Sequence, residues 1–345
     1  MDIHTLSYIK SVNKLRDISI FYRGYFFLLL LLISLNQVKA QSSDVLTEDI
    51  RFESEGISLA GTIYKPQHPH AAVVIVHGSD QTPRMREFAS FLANKGISVL
   101  TYDKRGVGES GGVYAGPEVG TNNVDTTNLN LLAKDASAAV NILHQHDKNV
   151  PIGLVGFSQA GWIIPIAAKI NSIVEFMVVF CGPLVSTREQ LLFQFHTGGD
   201  PDFWNNHTES GTREHMCNNA DSILEQILFQ FIAKEDPSFW DNHTIAEARE
   251  HIRNNPERYQ FANTDPYDAL ITLSIPGIWL WGGKDVQVPI GLSIERLNAL
   301  KVHGKPYEYC LFSTLGHNVA FSDSTEPIDI AIQWIKNRKH YLKRK

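Results

Sequence analysis

Residues 71–76, Ala-Ala-Val-Val-Ile-Val, are apolar without interruption. A short, β-branched run of this kind is the pattern of a strand buried on both faces. Such a strand needs cover above and below, and the chain supplies it by alternation. Helical patterns at Arg84–Asn94, Leu129–His144 and Ser158–Ile170 are interleaved with strand-like runs at Ser98–Tyr102, Ile152–Phe157 and Phe176–Cys181. The same alternation resumes with strand Ile278–Trp281, helix Ile290–Lys301, strand Tyr307–Phe312 and helix Ile328–Arg338, while Ile57–Tyr64 alternates like a half-exposed strand. The pattern predicts an α/β protein with a mainly parallel central sheet and helices on both faces.

The alternation stops between residues 184 and 262, where a tandem repeat lies. Residues 189–224 align with residues 225–260 at an offset of 36, sharing E-Q-x-L-F-Q-F, D-P-x-F-W-x-N-H-T and R-E-H-x-x-N-N. Each copy is expected to be a pair of short helices. Asp200-Pro201 and Asp236-Pro237 read as helix starts, and Thr244 and Glu247 have the spacing of a capping box. Two copies are fewer than a free-standing solenoid needs, so they are expected to pack as a helical cap over the sheet's carboxyl edge. The predicted organisation is a catalytic domain of residues 41–183 and 263–345, with the cap at 184–262.

Chemistry enters at Gly156-Phe157-Ser158-Gln159-Ala160-Gly161, directly after one strand and opening a helix. Small residues around a serine at a strand-to-helix turn are what a nucleophile elbow requires, although Ala160 stands where glycine is usual. Ser158 is the candidate nucleophile, and the backbone N–H of Gln159 a candidate oxyanion donor. His77-Gly78-Ser79 follows the buried strand at 71–76, and the backbone of Ser79 is the candidate second donor. Losing one such donor commonly costs about 2.7–4 kcal/mol of transition-state stabilisation. Asp285 follows strand Ile278–Trp281 and His317 follows strand Tyr307–Phe312, giving the order serine, aspartate, histidine used by one class of hydrolase. Asp135, within a helix, is read as a structural carboxylate. The glycine-rich stretch Asp103–Gly112 lacks the Lys-Ser/Thr ending of a phosphate loop and is read as a structural turn at the site's rim.

Residues from about Ile50 to Arg338 resemble bacterial α/β-hydrolases of the EstD-like esterase and serine aminopeptidase-like groups. The matching pieces are Ser58–Tyr64, His77-Gly78-Ser79, Tyr102 to Ser110 (YDKRGVGES), the elbow, Asp285 and His317. The resemblance implies hydrolysis of carboxylic esters, with thioesters or peptides in some members, and implies no metal or organic cofactor. Asp80, where glycine often follows His-Gly-Ser, and the duplicated cap depart from the pattern where substrate choice is set. The leading expectation is an ester hydrolase acting on small or medium substrates through an acyl-enzyme. A serine peptidase for short peptides is the alternative, and a catalytically silent binding protein with the same fold is the alternative of another class. A serine at the elbow argues against dehalogenase and epoxide-hydrolase chemistry, which place aspartate there.

The remaining features bound partners and location. The net charge of −6 and the lack of a long basic stretch outside the termini give no reason to expect nucleic acid. Lys10, Lys14, Arg16 and Arg23 precede an apolar run from Tyr25 to Leu35, and Val38-Lys39-Ala40 has the small-residue pattern of a cleavage site. Residues 1–40 are read as an export signal leaving no membrane span after removal, with an uncleaved anchor as the alternative. Three scattered cysteines, Cys181, Cys217 and Cys310, do not make a disulfide framework or a zinc site. The histidines His207, His215, His243 and His251 are read as products of duplication rather than metal ligands. Asn206 and Asn242 match glycosylation acceptors, in a host that performs that modification. Phe203, Trp204, Phe239 and Trp240 are expected to be cap core, with lining of an apolar substrate pocket as the alternative.

Overall fold

The computed structural model describes residues 45–115, 124–259 and 263–338. The export-signal reading of residues 1–40, and the basic run 339–345, lie outside the described residues. Among the described residues no helix is long and apolar enough to cross a membrane.

The chain runs through β1 (Val45–Ser54), β2 (Ile57–Pro66), β3 (Ala71–Val76), α1 (Arg86–Asn94), β4 (Ile97–Tyr102), α2 (Thr126–His146), β5 (Ile152–Phe157), α3 (Ala160–Ile170) and β6 (Val174–Phe180). The helices α4 (Thr187–Thr197), α5 (Phe203–Asn206), α6 (Glu209–Glu235), α7 (Phe239–Asn242), α8 (Ile245–Asn254), α9 (Pro256–Tyr259) and α10 (Tyr267–Leu270) follow. The fold closes with β7 (Gly277–Gly282), α11 (Ile290–Val302), β8 (Tyr307–Phe312) and α12 (Glu326–Asn337). The strands form one eight-stranded sheet in the order β1-β2-β4-β3-β5-β6-β7-β8. β1, β2 and β4 pair antiparallel, and every pair from β4 to β8 is parallel. The uninterrupted apolar run at 71–76 is β3, fully buried between β4 and β5.

Helices cover both faces, each with its own core. On one, Leu129 and Val140 of α2, Ile163 of α3 and Leu297 of α11 pack on Val74, Leu154 and Trp279. On the other, Phe88 and Leu92 of α1 and Ile332 and Trp334 of α12 pack on Val73, Val155 and Ile278. The expected α/β architecture is present. One strand escaped the sequence reading: β1 sits at the sheet edge and is mostly exposed, so its side chains carry little apolar alternation. α1 begins two residues later than expected, after Met85, whose ψ of 66° is not helical, while the Arg84 backbone N–H is bonded to the Asp103 carboxylate at 2.7 Å.

The duplicated segment departs from the expected pairs of short helices. α5 and α7 occupy equivalent positions 36 residues apart, as do the first residues of α6 and α8. By the same offset α4 corresponds to the second half of α6. The 27-residue α6 is therefore the last helix of the first copy fused to the first helix of the second. No glycine or proline interrupts residues 212–235, so nothing ends the helix at the copy boundary. Asp200 and Asp236 do not cap helices; their carboxylates accept from the N–H of Asp202 and Ser238 in the preceding turns. The capping box at Thr244 and Glu247 is formed, and in the first copy Thr208 keeps only its half, bonding the N–H of Gly211.

Candidate active site

The elbow forms because β5 ends on residues that leave no room for anything larger. A Cβ on Gly156 would stand 2.5 Å from that of Ala160, and one on Gly161 would stand 2.6 Å from the Pro183 carbonyl oxygen. The chain turns at Ser158 with φ +50°, a left-handed conformation that costs a non-glycine residue roughly 1–2 kcal/mol. Its N–H is held by the Phe180 carbonyl at 3.0 Å. Ser158 stands in this turn rather than in the helix, which begins at Ala160.

Asp285 and His317 arrive from the last two strands, β7 and β8. Beyond β7, the Asp285 Oδ1 accepts from the N–H of Gln287 at 2.7 Å and of Val288 at 2.9 Å, which fixes a carboxylate only 1% exposed. Beyond β8, the chain folds back so tightly over β7 that a Cβ on Gly282 would lie 2.1 Å from the Gly316 oxygen. That crossing carries His317 to Asp285. The His317 Nδ1 lies 2.8 Å from Asp285 Oδ2, and its Nε2 lies 3.0 Å from Ser158 Oγ. A carboxylate accepts only, so Nδ1 carries the proton and Nε2 is left to accept from the serine hydroxyl. The three residues singled out in the sequence thus meet as one hydrogen-bonded chain, with Ser158 and His317 partly exposed and Asp285 buried.

Of the two backbone candidates, Gln159 is placed by the chain itself and Ser79 by the turn that carries it. Gln159 follows Ser158 directly, and a Cβ on Gly78 would lie 3.5 Å from that of Ser158, so the His77-Gly78-Ser79 turn passes close beside the elbow. The sequence reading did not anticipate Lys104. This side chain is 3% exposed, and its Nζ donates to the carbonyls of Gly78 and Ser79 and to Gln159 Oε1 at 2.8, 3.1 and 3.0 Å. The charged pair Asp103-Lys104 directly after the buried strand β4 was the available signal. His77 is buried, and desolvation, then the charge of Lys104, pushes its pKa down to about 3. The Cys181 thiol is pushed up to about 12 by burial, then by the nearby Asp285 carboxylate.

The glycine-rich loop after β4 is organised around its own side chains. The Asp103 carboxylate accepts from the N–H of Arg84 and Glu109 and presses on Gly108, whose φ is +56°. Arg105 and Asp135 form a buried ion pair, and burial holds the Asp135 carboxyl above its ordinary range. An anionic carboxylate at the centre of this loop opposes phosphate binding.

In the helical insertion, His207 and His243 each use Nδ1 on the backbone oxygen of a phenylalanine four residues earlier, both at 2.9 Å, and stack on that ring. Phe203 and Phe239 are buried within the insertion. Trp204 alone of these four aromatic residues reaches the acid, its Nε1–H donating to the Asp285 carbonyl at 2.9 Å. It also lines a cavity of about 180 Å³ together with Phe193, Met216, Ile290 and Leu311. The cavity touches Asp285 but neither Ser158 nor His317.

This sheet, with a serine just after β5, an acid after β7 and a histidine after β8, is the α/β-hydrolase fold, and the three side chains form one hydrogen-bonded chain at the carboxyl ends of its parallel strands. More particularly, the model of the serine aminopeptidase S33 family matches residues 67–223, in keeping with the resemblance read from the sequence. Solved structures with this fold include the acylaminoacyl peptidase of Pyrococcus horikoshii, at a TM-score of 0.55 and 14% identity over 87% of this chain. The match spans only 43% of that longer chain. A Pyrococcus furiosus esterase matches at a TM-score of 0.53 and 16% identity, over 87% of this chain and 91% of its own. The Penicillium α/β-hydrolase GrgF matches at 0.52 and 15%, over 84% and 98%. No curated protein matches the chain.

Proposed function

We propose that the protein hydrolyses carboxylic esters of small or medium size through an acyl-enzyme on Ser158. The observation that carries this reading is the unbroken chain from Ser158 Oγ to His317 to Asp285, with the serine raised on a left-handed turn. His317 Nε2 takes the hydroxyl proton as Oγ attacks the ester carbonyl, and Asp285 stabilises the resulting imidazolium. The N–H groups of Ser79 and Gln159 receive the oxyanion. On collapse His317 returns the proton to the leaving alcohol, and a water activated by the same nitrogen then releases the acid. The helical insertion acts as a cap, fixing the acid loop from above through Trp204.

Esters are preferred over peptides on the resemblance read from the sequence, and Glu209, which lines the cavity beside Asp285, is the acid that a peptidase reading would assign to a substrate amino group. Of the insertion's acids, Glu247 is committed to its own helix cap and Glu225 to Arg249. The family match keeps a serine aminopeptidase as the second reading. The test is labelling of the purified protein with a fluorophosphonate, alongside Ser158→Ala, followed by p-nitrophenyl esters and aminoacyl anilides. Labelling lost in the variant, with turnover of esters and not anilides, is the expected result. Turnover of anilides alone makes the protein a peptidase, and no labelling of folded protein removes the catalytic reading.

A further inference from the structure

Lys104 is a buried cation at the carboxyl end of β4, next to the elbow. Its hydrogen bonds to Gly78, Ser79 and Gln159 are not scattered. Gly78 C=O and Ser79 N–H belong to one peptide unit, and no cis peptide occurs among the described residues. In a trans peptide the two groups point in opposite directions. A donor on the Gly78 oxygen therefore turns the Ser79 N–H away from Lys104. It also polarises that N–H, since a peptide accepting a strong bond donates a stronger one. The third contact is to the side chain of Gln159, the residue whose N–H follows Ser158. A neutral amine has two hydrogens and an ammonium three, so three oxygens at 2.8, 3.1 and 3.0 Å match the ammonium. The Ser79 carbonyl is also held by the hydroxyl of Tyr114 at 2.7 Å, and the Tyr114 ring lies 5.5 Å from the Lys104 nitrogen. The Arg84, Asp103 and Glu109 network anchors the chain on the other side of the same loop.

We infer that Lys104 is a positioning residue for the oxyanion hole: one ammonium sets both backbone donors and leaves a positive charge behind them. This rests on the hydrolase reading of Ser158. Lys104 touches no substrate and transfers no proton; it stays an ammonium while negative charge grows on the carbonyl oxygen and fades on collapse. Its effect is therefore largest in the transition state and small in the ground state, which places the loss on kcat rather than on KM.

The experiment compares wild type with Lys104→Met, which keeps the length of the stem and removes the charge and the donors. Turnover of a p-nitrophenyl ester is measured. A trifluoromethyl ketone labelled with ¹³C at its carbonyl then reports the ionisation of the hemiketal formed on Ser158. The variant is expected to lose about 10–100-fold in kcat with KM within about threefold. The hemiketal hydroxyl is expected to ionise about one pH unit or more higher in the variant. A residue that only supports the loop would not move that ionisation. Should Lys104→Met not fold, Lys104→Gln, which keeps amide donors without the charge, is read by the same shift. An unchanged hemiketal titration in a folded variant, or a kcat within twofold of wild type, overturns the proposal. A wild-type protein that forms no adduct overturns the hydrolase reading, and this proposal with it.

Discussion

Replacing Asp285 by asparagine changes one atom, and the structure dictates how the new side chain must lie. Two backbone N–H groups, of Gln287 and Val288, already converge on Oδ1. An asparagine that put its NH₂ there would oppose two donors at 2.7 and 2.9 Å, and each buried donor left unpaired costs about 1–3 kcal/mol. The amide oxygen is therefore retained at Oδ1 and the NH₂ faces His317 Nδ1 in place of Oδ2. The ring must then accept at Nδ1 and carry its proton on Nε2, directed at Ser158. A protonated Nε2 cannot take the serine proton. The expected loss in kcat is about 10⁴-fold, or roughly 5.5 kcal/mol at 1.36 kcal/mol per tenfold. The urea midpoint should stay close to wild type, because both bonds to Oδ1 persist. The assay is initial-rate hydrolysis of p-nitrophenyl acetate, with fluorophosphonate labelling as a second readout. Activity within tenfold of wild type would refute the tautomer argument and point to a different acid.

Three further outcomes follow from other parts of the molecule. His77 is held neutral by burial, with its pKa depressed to about 3 from 6.5. Between those values the unfolded chain binds a proton that the folded chain does not. Its contribution to stability is thus full above pH 6.5 and falls as the pH drops, by about 1.4 kcal/mol at pH 5.5 from this group alone; urea titrations at pH 7.5 and 5.5 should show that slope weakened in His77→Gln. Trp204→Phe removes the indole bond to the Asp285 carbonyl, so it should cost about 1 kcal/mol in stability and several-fold in kcat. Trp240→Phe, at the equivalent place in the second copy, should leave kcat unchanged, and equal effects of the two would contradict the asymmetric docking. Excising residues 225–260 joins Leu224 to Phe261 in repeat phase and leaves the first copy's bonds to the acid loop, so the shortened chain should fold and keep kcat within about threefold, as a steady-state assay would show; loss of labelling by fluorophosphonate in a folded excision variant would place the second copy in the site.

The parts of this molecule that could be read from sequence are those where one local requirement dominates. β3 was legible because burial on both faces demands an unbroken apolar run, and the elbow because its turn excludes side chains at Gly156 and Gly161. Asp285 and His317 stood out because each follows a strand, although their meeting depends on Gly282, whose missing side chain lets the Gly316 backbone cross over β7. Nothing in the string Trp281-Gly282-Gly283 says which chain crosses there. β1 was illegible for the opposite reason, since an exposed edge strand satisfies its backbone without an apolar stripe. The duplication was the clearest pattern in the sequence, yet its geometry was misjudged. A repeat reports what is copied and not where a helix ends, and helix ends are set by capping and breaking residues. Thr208 and Thr244 supply starts, but no stop lies between Thr212 and Glu235, so two helices became one. Fusion also makes the copies unequal. Through the first copy, Thr197, Trp204 and Arg213 bind the loop after β7 and α11. The matching arginine of the second copy, Arg249, pairs within the insertion with Glu225, and that copy packs on a small core of its own around Ile232, Phe239, Ala248 and Tyr259. Sequence identity between the copies therefore overstates their equivalence: the first is tied to the acid of the site, while the second is built on the first.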